Sequence, residues 1–394
     1  MKNKKNIFIA VIITPMLILS LFAYFYLFNI PTKIYINEGT DTIKVSNNIF
    51  IKDSKIIKDK LELKFLGLIP VKSVAVSKVK DLELYPGGSN VGIKISTKGV
   101  LVVGHSNIES SQGNIESPAK TSGIELGDII TKVNGEEIQS SKDLSNKIKN
   151  INKENIIIEY IRNGKNIEKE IKLQKEEDSY KLGLWVRDST AGIGTLTFYD
   201  KKTKIFGALG HPITDGDTNK PFNIKEGDLL NSSVISVKKG EKGEPGELKG
   251  LFVNEKENIG KIEKNTESGI FGESSEVLIN EKYNKPLKVG FRSEIKEGPA
   301  KIITTIDEEG PKEYNIEIIK LLSQEQPDAK SMVIKVVDEE LLEKTGGIVQ
   351  GMSGSPIIQD DKIIGAVTHV LINKPDVGYG IYIEWMLKDA GIIE

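Results

Sequence analysis

The stretch "IVQGMSGSPII", Ile348 to Ile358, sets two serines in a run of glycines closed by a proline. A hydroxyl on a tight turn can attack a carbonyl if a base takes its proton and N–H donors meet the oxyanion. Small Gly-Ser turns also serve as passive strand connections, so Ser353 and Ser355 are both candidates on the hexapeptide alone. The chain has three histidines to act as base: His105, His211 and His369. His211 lies in "IFGALGHPITDGD", after a Gly-rich strand end and before a proline. His369 sits inside the apolar run "AVTHVLI", where a core or sheet-face role is the simpler expectation, and His105 in "VVGHSNI" reads as a turn or surface residue. The acids that could stand behind an imidazole are Asp215, Asp217, Asp307, Asp328 and Asp338. Asp215 and Asp217 follow His211 closely. Asp338 ends the apolar run "SMVIKVVD" but also precedes "EELLEKTGG", where it would cap a short helix. The residues alone do not choose among them.

Other chemistries fall away. The 394 residues include no cysteine, which removes disulfides, thiol nucleophiles and thiolate metal sites. No HExxH occurs, which leaves little basis for a zinc enzyme. Lys and Arg (54) nearly balance Asp and Glu (56), for a net charge of −2, so nucleic acid is not an expected partner. "GGSNVGIK" at 87–94 has the outline of a phosphate-binding loop, but Ile93 stands where its lysine must be.

The elements that would position these residues read as follows. Lys2, Lys4 and Lys5 precede 27 uncharged positions, Asn6 to Thr32, long enough to span a bilayer. The expectation is a transmembrane signal-anchor with everything after about residue 31 outside the cytoplasm. A cleaved signal peptide is the competing reading, although no A-x-A site follows. Residues 32–85 alternate in short strands and form a β-rich membrane-proximal segment. From 86 to 175 come glycine turns, strands and "SSKDLSNKIKNI", a helix capped by Ser140 or Ser141 with Leu144 and Ile148 on one face. "NIIIEYIRNGKNIEKEIKL" is a hairpin turning at Asn163-Gly164. After the charged linker "QKEEDSY", residues 180–394 are short apolar strands and turns, a barrel or sandwich.

Residues 86–175 resemble a PDZ domain, most clearly in the run from Pro118 to Ile138 with its "SGI", "GD" and "VNG". That resemblance implies that Val91, Gly92 and Ile93 offer amides to a peptide's terminal carboxylate while Leu144 and Ile148 line the groove. "GMSGSP" is similar to the G-D-S-G-G-P run around the nucleophile of chymotrypsin-like proteases. This implies Ser353 as nucleophile, Ser355 as scaffold, and the amides of Gly351 and Ser353 as the oxyanion hole. A loop histidine upstream of that motif is in the order such proteases use, which favours His211 as base.

Taken together, the apolar N-terminus, "FLGLIPVKSVAVS", "PGGSNVGIK", the PDZ pattern, "GALGHPITD" and "GMSGSPI" resemble the stage IV sporulation protein B (SpoIVB) peptidase family. The resemblance implies a mainly β chain: an N-terminal transmembrane helix (1–31 with its cytoplasmic tail), the β-rich segment (32–85), the PDZ domain (86–175) and a trypsin-like double β-barrel peptidase domain (180–394). It implies a serine endopeptidase with a His211-Asp338-Ser353 triad and no cofactor. Its work would lie between the forespore and mother-cell membranes. It would cut its own N-terminal region, with 44–64 as candidate sites, and a membrane-associated regulator of an intramembrane metalloprotease, activating sigma-K. Asp338 stands only 15 residues before Ser353, nearer than the corresponding acid of chymotrypsin. Rival expectations are a PDZ scaffold without activity and a quality-control protease, although the latter usually carry the PDZ domain after the protease.

Overall fold

The computed structural model describes residues 14, 16–17, 30–40, 51–80, 82–110, 113–177, 179–254 and 257–394. Strands β1 (Lys33–Asn37), β2 (Ile51–Ile57), β3 (Lys60–Phe65) and β4 (Ile69–Val79) form a separate sheet in the order β1-β4-β3-β2. Alternation turns Ile34, Ile36, Leu61, Leu63, Val74 and Val76 to one face, where they make a small core. The sheet is tied to the C-terminal lobe; Asn37 Nδ2 donates to the Val289 carbonyl at 2.9 Å.

The spanning helix expected near the N-terminus needs correction. Among the described residues no helix is long and apolar enough to cross a membrane. Apart from Thr14, Met16, Leu17 and 30–32, the Asn6–Thr32 stretch lies outside the described residues. The expected self-cleavage region, 44–64, falls partly outside them too, at 44–50.

From residue 83 onward the chain is mainly β, as its β-branched alternation dictates. β5 (Glu83–Pro86) leads to β6 (Asn90–His105), and a short hairpin, β7 (Ile108–Ser110) and β8 (Gly113–Ile115), follows. Next come α1 (Pro118–Thr121), β9 (Ile129–Val133), β10 (Glu136–Glu137) and α2 (Ser141–Lys149). Ser140 caps α2, its hydroxyl accepting the Asp143 N–H at 3.1 Å, and Leu144 and Ile148 are its buried residues. β11 (Asn155–Arg162) and β12 (Lys165–Lys172) pair from Asn155 opposite Lys172 to Arg162 opposite Lys165. Both residues of their connection, Asn163 and Gly164, have positive φ, as a type I′ turn requires. These elements close over Val100, Ile130, Ile138, Leu144, Ile148, Ile158 and their neighbours.

β13 (Gln174–Glu176) and β14 (Ser179–Lys181) bridge to the strand on which the rest turns, β15 (Leu184–Tyr199). β6 and β15 each run 16 residues, well beyond the usual strand. They pair with each other from Leu184 opposite His105 to Thr195 opposite Asn90. One end of this ribbon, with β9, belongs to the PDZ sheet; the other, with β17, belongs to the peptidase. Residues 91–96, grouped with the PDZ region in the sequence, are therefore paired on both edges inside the peptidase lobe.

The first peptidase lobe adds β16 (Ile205–Ala208), β17 (Ile224–Lys238), β18 (Glu247–Phe252), β19 (Asn258–Thr266) and β20 (Gly269–Ser274) around Ile93, Leu196, Phe206, Leu229 and Ile270. The second lobe has β21 (Leu287–Val289), β22 (Gly298–Thr304), β23 (Lys312–Leu321), β24 (Met332–Val336) and α3 (Glu339–Thr345). It ends with β25 (Pro356–Gln359), β26 (Lys362–Leu371), β27 (Lys374–Tyr382) and α4 (Ile383–Ala390). Its core is the largest, with Phe291, Ile302, Ile334, Ile357, Val367 and Met386 at its centre.

Candidate active site

Ser353 lies on the turn between α3 and β25, in the second lobe. Thr195 of β15 grips this turn twice: its N–H donates to the Ser353 carbonyl (2.9 Å) and its hydroxyl to the Gly351 carbonyl (2.8 Å). Two residues along the same strand face, the Thr197 hydroxyl donates to the Gly354 carbonyl (2.7 Å). Gly354 has φ +97°, and a Cβ there would stand 2.0 Å from the Thr195 oxygen and 2.5 Å from the Leu209 nitrogen. Only glycine lets the serine turn come that close to the residue two before His211. Ser355 is buried and committed: its hydroxyl lies 2.6 Å from the Met352 carbonyl and 2.9 Å from the Thr304 hydroxyl. The Ser353 hydroxyl donates to the Thr368 carbonyl at 2.7 Å. The N–H groups of Gly351 and Ser353 have no hydrogen-bond partner among the described residues.

His211 follows β16 through Leu209 and Gly210. Its Nδ1 lies 2.8 Å from the Pro212 carbonyl. A carbonyl can only accept, so Nδ1 carries the proton and Nε2 presents a lone pair. Burial pulls the imidazole below the ordinary value of 6.5, partly offset by the Pro212 carbonyl, so the ring is a neutral base at pH 7. The loop after it is fixed from two sides. Asn265 of β19 accepts the Ile213 N–H (2.8 Å) and donates to the Ile213 (2.9 Å) and Phe222 (3.1 Å) carbonyls. From the other side Arg187 of β15 pairs with Asp215 and, at 2.9 Å, with Asp217. The Asp215 side chain is fully buried. Burial opposes its ionisation, but bonds from Thr218 and Asp217 and the Arg187 charge outweigh that and hold the carboxyl below the usual range.

The second histidine on the site is His369 of β26. Its ring centroid is 5.0 Å from that of His211, and its Nδ1 is buried without a partner. Burial, with the nearby His211 and Lys330, pushes it down to about 4. His211, His369, Thr368, Gly351 and Ser353 line one cleft of about 670 Å³ between the lobes. The rest of its wall is apolar or neutral, including Ile93, Ile193, Leu209, Ile348, Val349, Val370 and Ile372, and no charged side chain lines it.

Two expected placements are corrected. Asp338 caps α3 through the Leu341 N–H (3.2 Å) and accepts from Asn315 N (3.1 Å) and Nδ2 (3.3 Å). It is not among the residues lining the His211 cleft, and the group bonded to Nδ1 is a backbone carbonyl. The helix-cap reading of the sequence wins because "DEELLEKTGG" carries its own start and stop signals, Gly346 ending α3 at φ +76°. Of the other acids, Asp307 pairs with Lys344 at 3.0 Å, and Asp328 accepts the Lys330 N–H at 2.8 Å. Val91, Gly92 and Ile93 do not form a carboxylate-binding loop. They lie buried near the start of β6, paired on both edges, and Ile93 lines the cleft. Leu144 and Ile148 do line a groove, of about 290 Å³, but its other wall is Tyr180–Leu184 with Val186. His105 Nε2 is bonded to the Ile124 carbonyl at 2.9 Å, inside the PDZ region.

Sequence reasoning missed Thr195, Thr197, Asn265 and Arg187. The threonines had a signal, two hydroxyls spaced by two on one strand face; Asn265 and Arg187 are brought in only by pairing.

The model of the SpoIVB peptidase S55 family matches residues 178–387, and that of the PDZ domain matches 96–173. The zinc metalloprotease RasP of Shouchella clausii is 34% identical over 104 residues, 24% of this chain and 25% of that protein, so the chain spans about a quarter of that relative. Among solved structures, the PDZ domain of the SdrC-like protein of Listeria monocytogenes covers 23% of this chain and 90% of its own at 22% identity and TM-score 0.19. The active form of the Rv3671c protease of M. tuberculosis covers 52% of this chain and 76% of its own at 11% identity and TM-score 0.28. With the family model spanning residues 178–387, more than half of the chain, the chain belongs to the SpoIVB peptidase S55 family, as a serine peptidase carrying a PDZ domain.

Proposed function

We propose that Ser353 is the nucleophile and His211 the general base of an endopeptidase that cuts protein chains with apolar residues around the scissile bond. The observation that carries this is convergence on one cleft: a hydroxyl, an imidazole with Nδ1 engaged by a carbonyl, and two unpartnered amides. In this reading the Ser353 hydroxyl leaves the Thr368 carbonyl for His211 Nε2 when substrate binds; such bonds are often made only once substrate is bound. The serine oxygen attacks the carbonyl, His211 takes its proton, and the Gly351 and Ser353 amides meet the oxyanion. His211 then protonates the leaving amine, and water releases the acyl group by the same path. Pro212 serves where a carboxylate orients the histidine in other triads. No cofactor takes part.

The family resemblance supports a sporulation role outside the cytoplasm. The substrates are then the chain's own N-terminal region and a membrane-associated regulator of an intramembrane metalloprotease, cut on the way to sigma-K activation. The groove between α2 and β15 suits a peptide strand, with amides near Leu182–Leu184 at its end for a terminal carboxylate. The test is terminal sequencing of fragments from purified wild-type and Ser353→Ala protein. Discrete cuts present only in wild type are expected; equal fragments from both would end the proposal. The inactive-scaffold reading has one observation in its favour, the Ser353 hydroxyl spent on Thr368, and predicts no cuts from either.

A further inference from the structure

β15 touches every working part of the molecule. Leu184 and Val186 wall the PDZ groove, Thr190–Ile193 line the cleft, and Thr195 and Thr197 hold the nucleophile turn. Between these stretches lie two consecutive charged residues whose side chains reach opposite partners. Arg187 pairs with Asp215 and Asp217 of the loop that begins at His211. Asp188 accepts the N–H (2.6 Å) and hydroxyl (3.0 Å) of Ser141, the first residue of α2. A third tie runs directly from the histidine loop to the PDZ region, Lys220 Nζ donating to the Gly127 carbonyl at 3.2 Å.

We infer that Arg187 and Asp188 form a two-sided clamp, positioning residues through which the PDZ helix α2 sets the placement of His211. The inference rests on His211 acting as base. Asp188 sits at a register shift of β15, between the paired Arg187 and Ser189, and the two neighbouring side chains bond to different elements, so a displacement of α2 is passed through one residue's width of backbone to the Asp215 turn. The buried end of the Arg187–Asp215 pair makes the link stiff: without its guanidinium, the Asp215 carboxylate keeps only the bonds within its own turn. A peptide seated beside α2 thereby acts on the rate of the chemical step rather than on binding in the cleft. Small misplacements of a catalytic group are costly; about 1 Å costs up to about a hundredfold.

The test uses the full chain and a short apolar peptide substrate. Arg187→Gln and Asp188→Ala are each expected to lower kcat about tenfold with KM within about twofold. The double variant should also lose about tenfold, because both act through one linkage. Arg187→Lys, which reaches one carboxylate only, should recover part of the loss. Loss of about a hundredfold in the double variant, a loss confined to KM, or unchanged kcat in Asp188→Ala would overturn the clamp. Should Arg187→Gln fail to fold, Asp188→Ala decides alone. A second readout does not depend on catalysis: hydrogen exchange across 212–222 in the Ser353→Ala background. Asp188→Ala, which touches only α2, should raise exchange there, and unchanged exchange refutes the linkage. If His211→Ala retains full activity the base reading fails instead, and the exchange result still judges the clamp.

Discussion

Acidification between pH 8 and pH 5 should destabilise the second lobe through His369, by an amount that can be worked out. The unfolded chain protonates this histidine around its ordinary value of 6.5, whereas the folded protein holds it at about 4. Below 6.5 the unfolded state therefore binds a proton that the folded state refuses. The stability is complete above pH 6.5 and is lost progressively as pH falls toward 4. At pH 5 the loss from this one partly buried ring is at most about 2 kcal/mol, at about 1.36 kcal/mol per unit of pH before solvent screening. For the two-lobed peptidase unit, residues 178–387, unfolding as a whole, that corresponds to about 4–8 °C in Tm. Trp385 is buried in α4 in the core of this lobe, so its fluorescence reports the transition. The comparison is made in Ser353→Ala, Trp185→Phe protein to prevent digestion and remove the exposed indole. His369→Gln should show a Tm drop from pH 8 to pH 5 smaller by about 4–8 °C. Carboxylate contributions are common to both proteins and cancel. Equal drops, or an NMR titration of His369 near 6.5, would refute the reasoning.

Three further outcomes are expected. Asp338→Asn, which keeps a good helix cap, should leave kcat within about twofold, whereas loss of a triad acid costs about 10⁴; steady-state kinetics separates the two. Thr195→Val leaves the part-buried Gly351 carbonyl without its hydroxyl donor and should cost about 1 kcal/mol, measured by denaturant titration in the Ser353→Ala background. Asn265→Ala removes three hydrogen bonds from the His211 loop and should lower kcat about tenfold or more, while an active-site label still reports a folded cleft.

Much of the site was legible because the chemistry is local. "GMSGSP" and "GALGHP" each carry their turn glycines beside the reactive residue, and the structure brings both to one cleft. The PDZ helix was legible from Ser140 and the Leu144/Ile148 spacing, and the hairpin from Asn163-Gly164. What could not be read was long-range pairing. β6 carries residues 91–96 into the peptidase lobe because Val91, Ile93 and Ile95 find a sheet on both edges, and no local pattern says which strands those are. Asp338 misled because a carboxylate before a short helix looks the same whether it caps or catalyses. His369 looked like a core histidine, and its approach to His211 arises only when the two lobes meet.

The central claim is that His211 activates Ser353 for attack, and a fluorophosphonate tests it most directly. Mass spectrometry of the labelled, folded wild-type protein should find a single adduct on Ser353, with the rate of labelling falling at least about a hundredfold in His211→Ala. No adduct on folded protein, an adduct on another residue, or an unchanged rate in His211→Ala would contradict the account.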